Sequence, residues 1–342
     1  MELTVRKPGL LSTLQDEGRF GFQSSGFSVS GCMDSCAMQD ANALVNNLPG
    51  EAVLEMQYLG GTFRFDCDTY FVLTGADMKP LLNGREIGNY RAVRVKAGDV
   101  LECGRAVNGR FGYLAVAGGF AVPQVLGSKS TNLKCGIGGL EGRALQAGDR
   151  IPMQQETDWL LNEYLKEAEP VVYQSEITLH VIPGLQEEAF DTDGLKNFYS
   201  EVYQVTDQSD RMGYRLSGTA VTSVGGVDII SDGIVAGSVQ VTPNGMPMIL
   251  LADRQTTGGY AKIGAVAAVD IPKLVQCMPG AKVRFVRTTL EEALCLYRKE
   301  ERVRVAFRRK VGYCPGNRGA WERIRHQFRE KCEERKRREK AG

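Results

Sequence analysis

The chain has 342 residues, of which 43% are hydrophobic and 24% charged. That length holds about two ordinary domains with cores of their own, and the composition excludes a disordered or membrane-class chain. The formal net charge of +1 hides an asymmetry: from Arg298 onward 17 Lys and Arg face 7 Asp and Glu, a local net of +10, so the preceding residues carry −9.

The N-terminus, MELTVRKPG, places charges where a secretion signal needs an apolar core. Nine scattered cysteines then read as reduced thiols, and a cytoplasmic location is expected. Residues 3–6 read as a strand leading into the polar turn Thr13-Leu14-Gln15-Asp16-Glu17-Gly18-Arg19, whose residue types are also ordinary turn formers. In 33–48 the apolar residues Ala37, Met38, Ala41, Leu44, Val45 and Leu48 recur at helical spacing, with Asp34 or Ser35 as N-cap. Asn42 lies one position off that stripe, on a solvated face or facing a neighbouring cleft.

Strand-like runs follow at 52–57, 62–65, 70–74, 92–95, 100–102 and 113–117, separated by turns such as Asn83-Gly84, Ala97-Gly98-Asp99 and Asn108-Gly109. Many short strands around one helix favour a barrel plugged by a helix. The most apolar stretch, 113–126, is broken by Gly118, Gly119 and Pro123 and is shorter than the ~20 residues a membrane helix needs. Residues 127–131 and 136–143 are Gly-rich but fit neither the phosphate-loop nor the dinucleotide spacing. A short helix at 157–168 before Pro170 marks the expected boundary between halves 1–168 and 169–290, with a basic helical tail at 291–342.

The second half opens with a strand at 177–182 and a helix with Leu195, Phe198, Tyr199, Val202 and Tyr203 on one stripe. His180 reads as a structural group. With only one other histidine, at 326, neither a metal site nor a Ser-His or Cys-His nucleophile is expected. Arg211 and Arg215 flank Gly213 and Tyr214, a pattern that clamps a carboxylate or phosphate, or else leaves one arginine paired with Asp210 and the other solvated.

The polar stretch 231–264 interleaves strands expected at 234–241 and 248–252 with chemistry-bearing side chains. Lys262 is the candidate for neutralising phosphoryl or carbonyl charge, and Asp253 or Asp232 the candidate base. Gln240, Gln255, Thr256, Thr257 and Tyr260 are candidate binding residues, beside Gly258 and Gly259, where backbone approaches closely. A helix at 268–278 capped by Asp270 and a last strand at 283–286 complete the body. The tail reads as a helix after Glu291, a break at Pro315-Gly316 and a second helix carrying Trp321, Ile324, Phe328 and Cys332, docked on the acidic body or on a partner.

Five phrases carry a family resemblance beyond these patterns: the 13–19 turn, Ser30-Gly31-Cys32-Met33-Asp34, Leu73-Thr74-Gly75-Ala76-Asp77-Met78, Tyr113-Leu114-Ala115-Val116-Ala117-Gly118-Gly119, and Asp210-Arg211-Met212-Gly213-Tyr214-Arg215-Leu216. A sixth is Ala252-Asp253-Arg254-Gln255-Thr256-Thr257-Gly258-Gly259-Tyr260. In this order, over about residues 1–290, they resemble the biotin-dependent carboxyltransferase (allophanate hydrolase subunit 2) family. Cys32 departs from the alanine that many relatives have there.

The resemblance implies a mainly β fold of two cyclophilin-like barrel halves with a cleft at their junction. It also implies the C subunit of a 5-oxoprolinase that uses ATP at the level of the complex, with a B-type (KipI-like) partner and an A-type (LamB/YcsF-like) partner. The alternatives it leaves are a urea carboxylase-type carboxyltransferase module and a KipA-like regulator that binds a kinase inhibitor. Arg211, Arg215 and Lys262 would steady phosphate or carboxylate charge, and Asp253 and Gln255 would position substrate. Tyr214 and the Gln15, Asp16, Arg19 and Asp34 turns of the first half would complete the cleft.

Overall fold

The computed structural model describes residues 1–154 and 166–313. Most of the helix expected at 157–168, and the second tail helix, lie outside the described residues. The first half contains β1 (Glu2–Lys7), β2 (Leu11–Gln15), α1 (Ser35–Leu44), β3 (Val53–Gln57), β4 (Thr62–Phe65), β5 (Thr69–Asp77), β6 (Leu81–Leu82), β7 (Arg85–Glu86), β8 (Val93–Val95), β9 (Val100–Glu102), β10 (Asn108–Val116) and β11 (Arg150–Pro152). The second contains β12 (Glu176–Pro183), α2 (Thr192–Ser200), β13 (Tyr203–Val205), β14 (Gly213–Ser217), β15 (Asp228–Gly233), β16 (Ser238–Val241), β17 (Pro247–Leu250), β18 (Thr257–Tyr260), β19 (Lys262–Val266), α3 (Ile271–Val275), β20 (Lys282–Arg287) and α4 (Leu290–Lys310).

The chain is mainly β, as expected. Its second half closes into a seven-stranded barrel in the order β12-β19-β16-β17-β14-β13-β20, joined by the parallel pair β12 and β20. The first half is built from two sheets, β11-β1-β4-β9-β6-β7 and β2-β3-β10-β5-β8. Strict alternation on β1 and β4 turns Leu3, Val5, Phe63 and Phe65 inward against Leu54, Phe71 and Leu114 of the second sheet. β3, β5 and β10 are buried on both faces, which is why they read as continuous apolar runs. Their other face packs on α1 through Ala37, Met38, Ala41 and Leu44, and this core continues into the barrel interior at Leu179, Tyr214, Val239 and Phe285.

Local chemistry explains most element ends. Asp34 caps α1 through its side chain, accepting from Ala37 N at 3.0 Å. The helix stops at Leu44 because the chain turns through left-handed Asn46, so Leu48 is exposed rather than on the buried stripe. Asn108-Gly109 is not a turn: both residues lie in β10, where Gly109 at φ +77 opens a bulge against β5. Asp270 does not cap α3. Its buried carboxylate instead accepts from His180 N and Nδ1, each at 2.8 Å, and from Lys273 Nζ at 2.7 Å.

α4 opens with a capping box between Thr289 and Glu292. It lies across both halves, buries Ala293 and leads into the buried Val311, and turns Arg304 and Arg308 onto Gln39 Oε1 of α1 at 3.1 and 2.9 Å. The first tail helix is therefore docked on the body. Among the described residues no helix is long and apolar enough to cross a membrane.

Candidate functional site

The junction of the halves is held by a buried ionic network around Arg211. β14 and the turn before it place this side chain against Asp253 (2.8 and 3.2 Å), Gly31 O (2.7 Å) and Glu55. Glu55 also accepts from Met33 N at 2.7 Å. Burial works against the Arg211 charge, but Asp253 and Glu55 outweigh it and hold its pKa above the ordinary guanidinium value. The expected two-arginine clamp does not form. The guanidinium of Arg211 is saturated by protein groups, while Arg215 points to solvent because β14 alternates. Asp210 pairs with neither and instead receives Met212 N and Gly213 N.

Tyr214 is likewise wall rather than contact surface. It is fully buried, its hydroxyl donates to Val275 O at 2.6 Å, and its ring lies 4.6 Å from the Arg110 guanidinium, which stands 4.5 Å from Tyr58 on its other side. Asp34 is also buried and fully engaged, accepting from Ala37 N, Gln276 Nε2 (2.8 Å) and Tyr173 Oη (3.2 Å). Asn42 is on neither a solvated face nor a cleft. Its amide is completely buried and ties Pro49 O and Glu51 O to α1.

Asp16 organises the Gly-rich loop at 127–131. Oδ1 accepts from Ser128 Oγ at 2.7 Å and Ser130 Oγ at 2.5 Å, and Oδ2 from Lys129 N at 2.6 Å. The Lys129 ammonium is spent on Glu51 and Phe120 O. Because these backbone and side-chain donors are satisfied internally, the loop is not a phosphate cradle. Gln15 donates to Thr13 Oγ1 and Thr131 O, and its Oε1 is buried without a partner. Arg19 is fully buried, bonded to Val125 O and Ser130 O, with Nη1 unpartnered and its pKa lowered by burial.

Lys262, Asp232 and Asp253 do not form one cluster. Lys262 Nζ donates to Asp232 Oδ2 at 2.7 Å and Gly233 O at 3.2 Å, on the two-stranded arm of β15 and β18, while Asp253 belongs to Arg211. The hydrogen bond from Lys262 holds the Asp232 carboxyl below its usual range. Gln186, which the sequence did not single out, joins the pair by donating to Asp232 at 3.2 Å and accepting from Lys262 N at 3.3 Å. Gln240 and Gln255 converge beside Gly258: a Cβ there would sit 2.8 and 3.0 Å from their Nε2 atoms. Gln240 donates to Tyr260 O at 3.2 Å, and its Oε1 is buried and unpartnered. Thr256 contributes its carbonyl to Ile234 N, and Thr257 is exposed.

A cavity of about 690 Å³ opens where α1, the connector at 169–178, the α3 region and α4 meet. Asp34, Asp40, Tyr90, Tyr173, Arg304 and Phe307 are among its lining. Asp40, Glu300 and Arg304 carried no signal in the sequence, because each sits in a helix that reads as an ordinary solvated face and only the docking of α4 on α1 brings them together. The seven described cysteines are all free.

Residues 25–287 match the family described as carboxyltransferase domain, subdomain A and B. The chain is 38% identical over 301 residues to the 5-oxoprolinase C subunit of Escherichia coli, covering 88% of this chain and 96% of that protein. It is 38% identical over 290 residues to the 5-oxoprolinase C subunit of Haemophilus influenzae, covering 85% and 92%. Among solved structures, the urea amidolyase of K. lactis superposes with a TM-score of 0.82 at 26% identity, covering 90% of this chain and 20% of that one.

Proposed function

Because this chain belongs to the carboxyltransferase-domain family, subdomains A and B, we propose that it is the C subunit of an ATP-dependent 5-oxoprolinase that opens 5-oxo-L-proline to L-glutamate with A-type and B-type partner subunits. One observation carries this reading. The match to the bacterial C subunit of that name runs nearly end to end, over 96% of that protein. The urea amidolyase of Saccharomyces cerevisiae, by contrast, is matched over only 17% of its length.

The chemistry asks for charge stabilisation. An unstrained lactam resists water until its carbonyl carbon is made electrophilic, and phosphorylation of the carbonyl oxygen by ATP does so. Water then adds to that carbon, the C–N bond breaks as the nitrogen takes a proton, and hydrolysis of the resulting acyl phosphate releases glutamate and phosphate. In this chain Lys262, held by Asp232 and Gly233 O, is the cation that steadies a phosphoryl or carboxylate group. Asp232 is half exposed and ionised, so it orients the ammonium and is open to an incoming ligand. The unpartnered Gln240 Oε1, beside Gln255, is an acceptor for a lactam N–H. Since the 127–131 loop does not fit a phosphate chain, ATP is assigned to the complex, with its phosphate-binding groups on a partner. Arg211 and Asp253 position these elements through the junction rather than touching substrate.

The test is reconstitution with both partner subunits. Phosphate release should appear only when 5-oxoproline is added, and Lys262→Ala should lower it about 100-fold. Full activity in the variant would remove Lys262 from the mechanism, and absence of 5-oxoproline stimulation in the wild-type complex would remove the function. The structural match to a urea amidolyase favours a second reading, a carboxyltransferase module. In that case the reconstituted protein would transfer carboxylate from carboxybiotin and ignore 5-oxoproline.

A further inference from the structure

The family match ends at residue 287 and α4 begins at Leu290, so this helix lies outside the matched carboxyltransferase stretch. One side of it packs on the body through Ala293, Phe307 and Val311. The opposite side carries Arg298, Arg302 and Arg309, all exposed, at positions i, i+4 and i+11 of one line along the helix. Lys299 and Lys310 flank that line and are exposed as well.

Charge on this line is uncompensated. None of these five side chains has a hydrogen bond or ion pair among the described residues. Of the acids on the helix, Glu291 and Glu292 stand in the first turn, Glu300 lines the cavity against the body, and Glu301 reaches Arg304 at 4.0 Å. Cations in a last turn answer the helix dipole, which accounts for Arg309 and Lys310. It does not account for Arg298 and Arg302, which lie well before the end and repel each other at i, i+4. Lys299 adds a second like-charge neighbour, with Arg302 at i, i+3. An anion seated along the line removes that repulsion.

The arrangement decides which anion. A membrane takes the apolar face of a basic helix, and that face of α4 is spent on the body, while Leu294 and Val305 stand to one side of the line. A protein interface has a core poor in charge, whereas the outermost line of α4 is the charged one. A phosphodiester backbone suits the line: its guanidinium groups, each able to grip two phosphate oxygens, are spaced about 6 and 10 Å along the axis. One strand carries a phosphate about every 3.4 Å, so each arginine finds one. Residues preceding Arg298 carry a net −9, which turns a polyanion away from the rest of the chain, and 314–342 adds ten Lys and Arg against five Asp and Glu. We propose that the outer face of α4 binds nucleic acid through its phosphate backbone, without sequence preference, with Arg298, Arg302 and Arg309 as the contacting row.

Fluorescence anisotropy on the full chain tests this with labelled oligothymidylate and a mixed-sequence duplex, titrated between about 50 and 200 mM salt. Both should bind, with affinity falling with salt at a log–log slope of at least about 3 in magnitude. Arg298→Gln, Arg302→Gln and Arg309→Gln together should weaken binding at least about tenfold and lower that slope by about 2 to 3, with α4 intact by circular dichroism. Arg298→Lys, Arg302→Lys and Arg309→Lys together should keep the slope. The proposal is overturned if neither probe binds, or if the glutamine variant binds as tightly as wild type, which would move binding to 314–342. Poly-L-glutamate binding as tightly as oligothymidylate would overturn it in favour of an acidic protein. Sedimentation with phosphatidylglycerol vesicles, without oligonucleotide binding, would overturn it in favour of a membrane.

Discussion

Asp40 shows how strongly one position is governed by what docks on it. Burial pushes its carboxyl up to about 7, with Asp34 and Glu300 adding to the shift and Arg304 and Arg308 opposing it. The folded chain thus binds this proton more tightly than the unfolded chain, where a carboxyl titrates near about 4. Between those values the native state holds more protons, so this group's contribution to stability is full at acid pH and is lost as pH rises through about 7. Asp40→Asn should leave stability nearly unchanged below about pH 4, raise it progressively between about pH 4 and 7, and hold that gain above it, read by urea unfolding at each pH. A constant difference across that range would contradict the assignment. Nothing in the sequence around Asp40 signals this, because an aspartate on a helix face is ordinary until another helix covers it. Arg211 is the opposite case: its phrase is legible as charge-handling, but its two carboxylate partners, Glu55 and Asp253, lie 156 and 42 residues away. Without them it reads as a ligand clamp.

At the scale of elements, what is legible follows from periodicity. The α1 stripe and the strands at β1, β12 and β20 all show one clear period, and their expected bounds agree with the structure within a few residues. The α2 stripe holds only through Leu195, Phe198 and Tyr199: the helix ends at Ser200, Val202 lies beyond it and Tyr203 belongs to β13. The arm of β15 and β18 leaves no such signal, since its strands are exposed and polar, with glycines in β18, and no buried face imposes a pattern. The strand expected at 234–241 shortens to β16 because Ile234 to Gly237 leaves the sheet, with Gly237 at φ +85. α4 is visible as a helix, but its charge hides the narrow stripe that docks. Its N-terminal capping box satisfies backbone donors that packing does not reach. Thr289→Ala should therefore cost about 1 kcal/mol in chemical denaturation, and protect α4 amides less in hydrogen exchange. Equal protection in the variant would mean that docking alone holds the helix.

Across the whole molecule, the two halves share one core and a polar seam. Gln276 sits at that seam: its Oε1 accepts from Arg110 N and Phe111 N at 2.8 and 2.9 Å, and its Nε2 donates to Asp34 and to Phe111 O. Gly109 leaves room for it, since a Cβ there would sit 2.9 Å from Gln276 Oε1. Wild-type chain should unfold in one calorimetric transition, because hydrophobic contacts run unbroken from α1 into the barrel. Gln276→Leu strands several buried polar groups at once and should cost at least about 3 kcal/mol. Two resolved transitions in the wild type would show that the seam does not couple the halves.

The sandwich of Arg110 between Tyr58 and Tyr214 also bears on how the chain is made. Its backbone N–H meets its acceptor 166 residues later, and its guanidinium meets Ser209 O 99 residues later. On the ribosome, the first half emerges with a charged strand residue that has no shelter until the barrel strands follow. The N-terminal sheets thus reach their final packing only after the second half is synthesised, and a chain arrested before residue 276 should be held open at β10, where a chaperone or protease would find it.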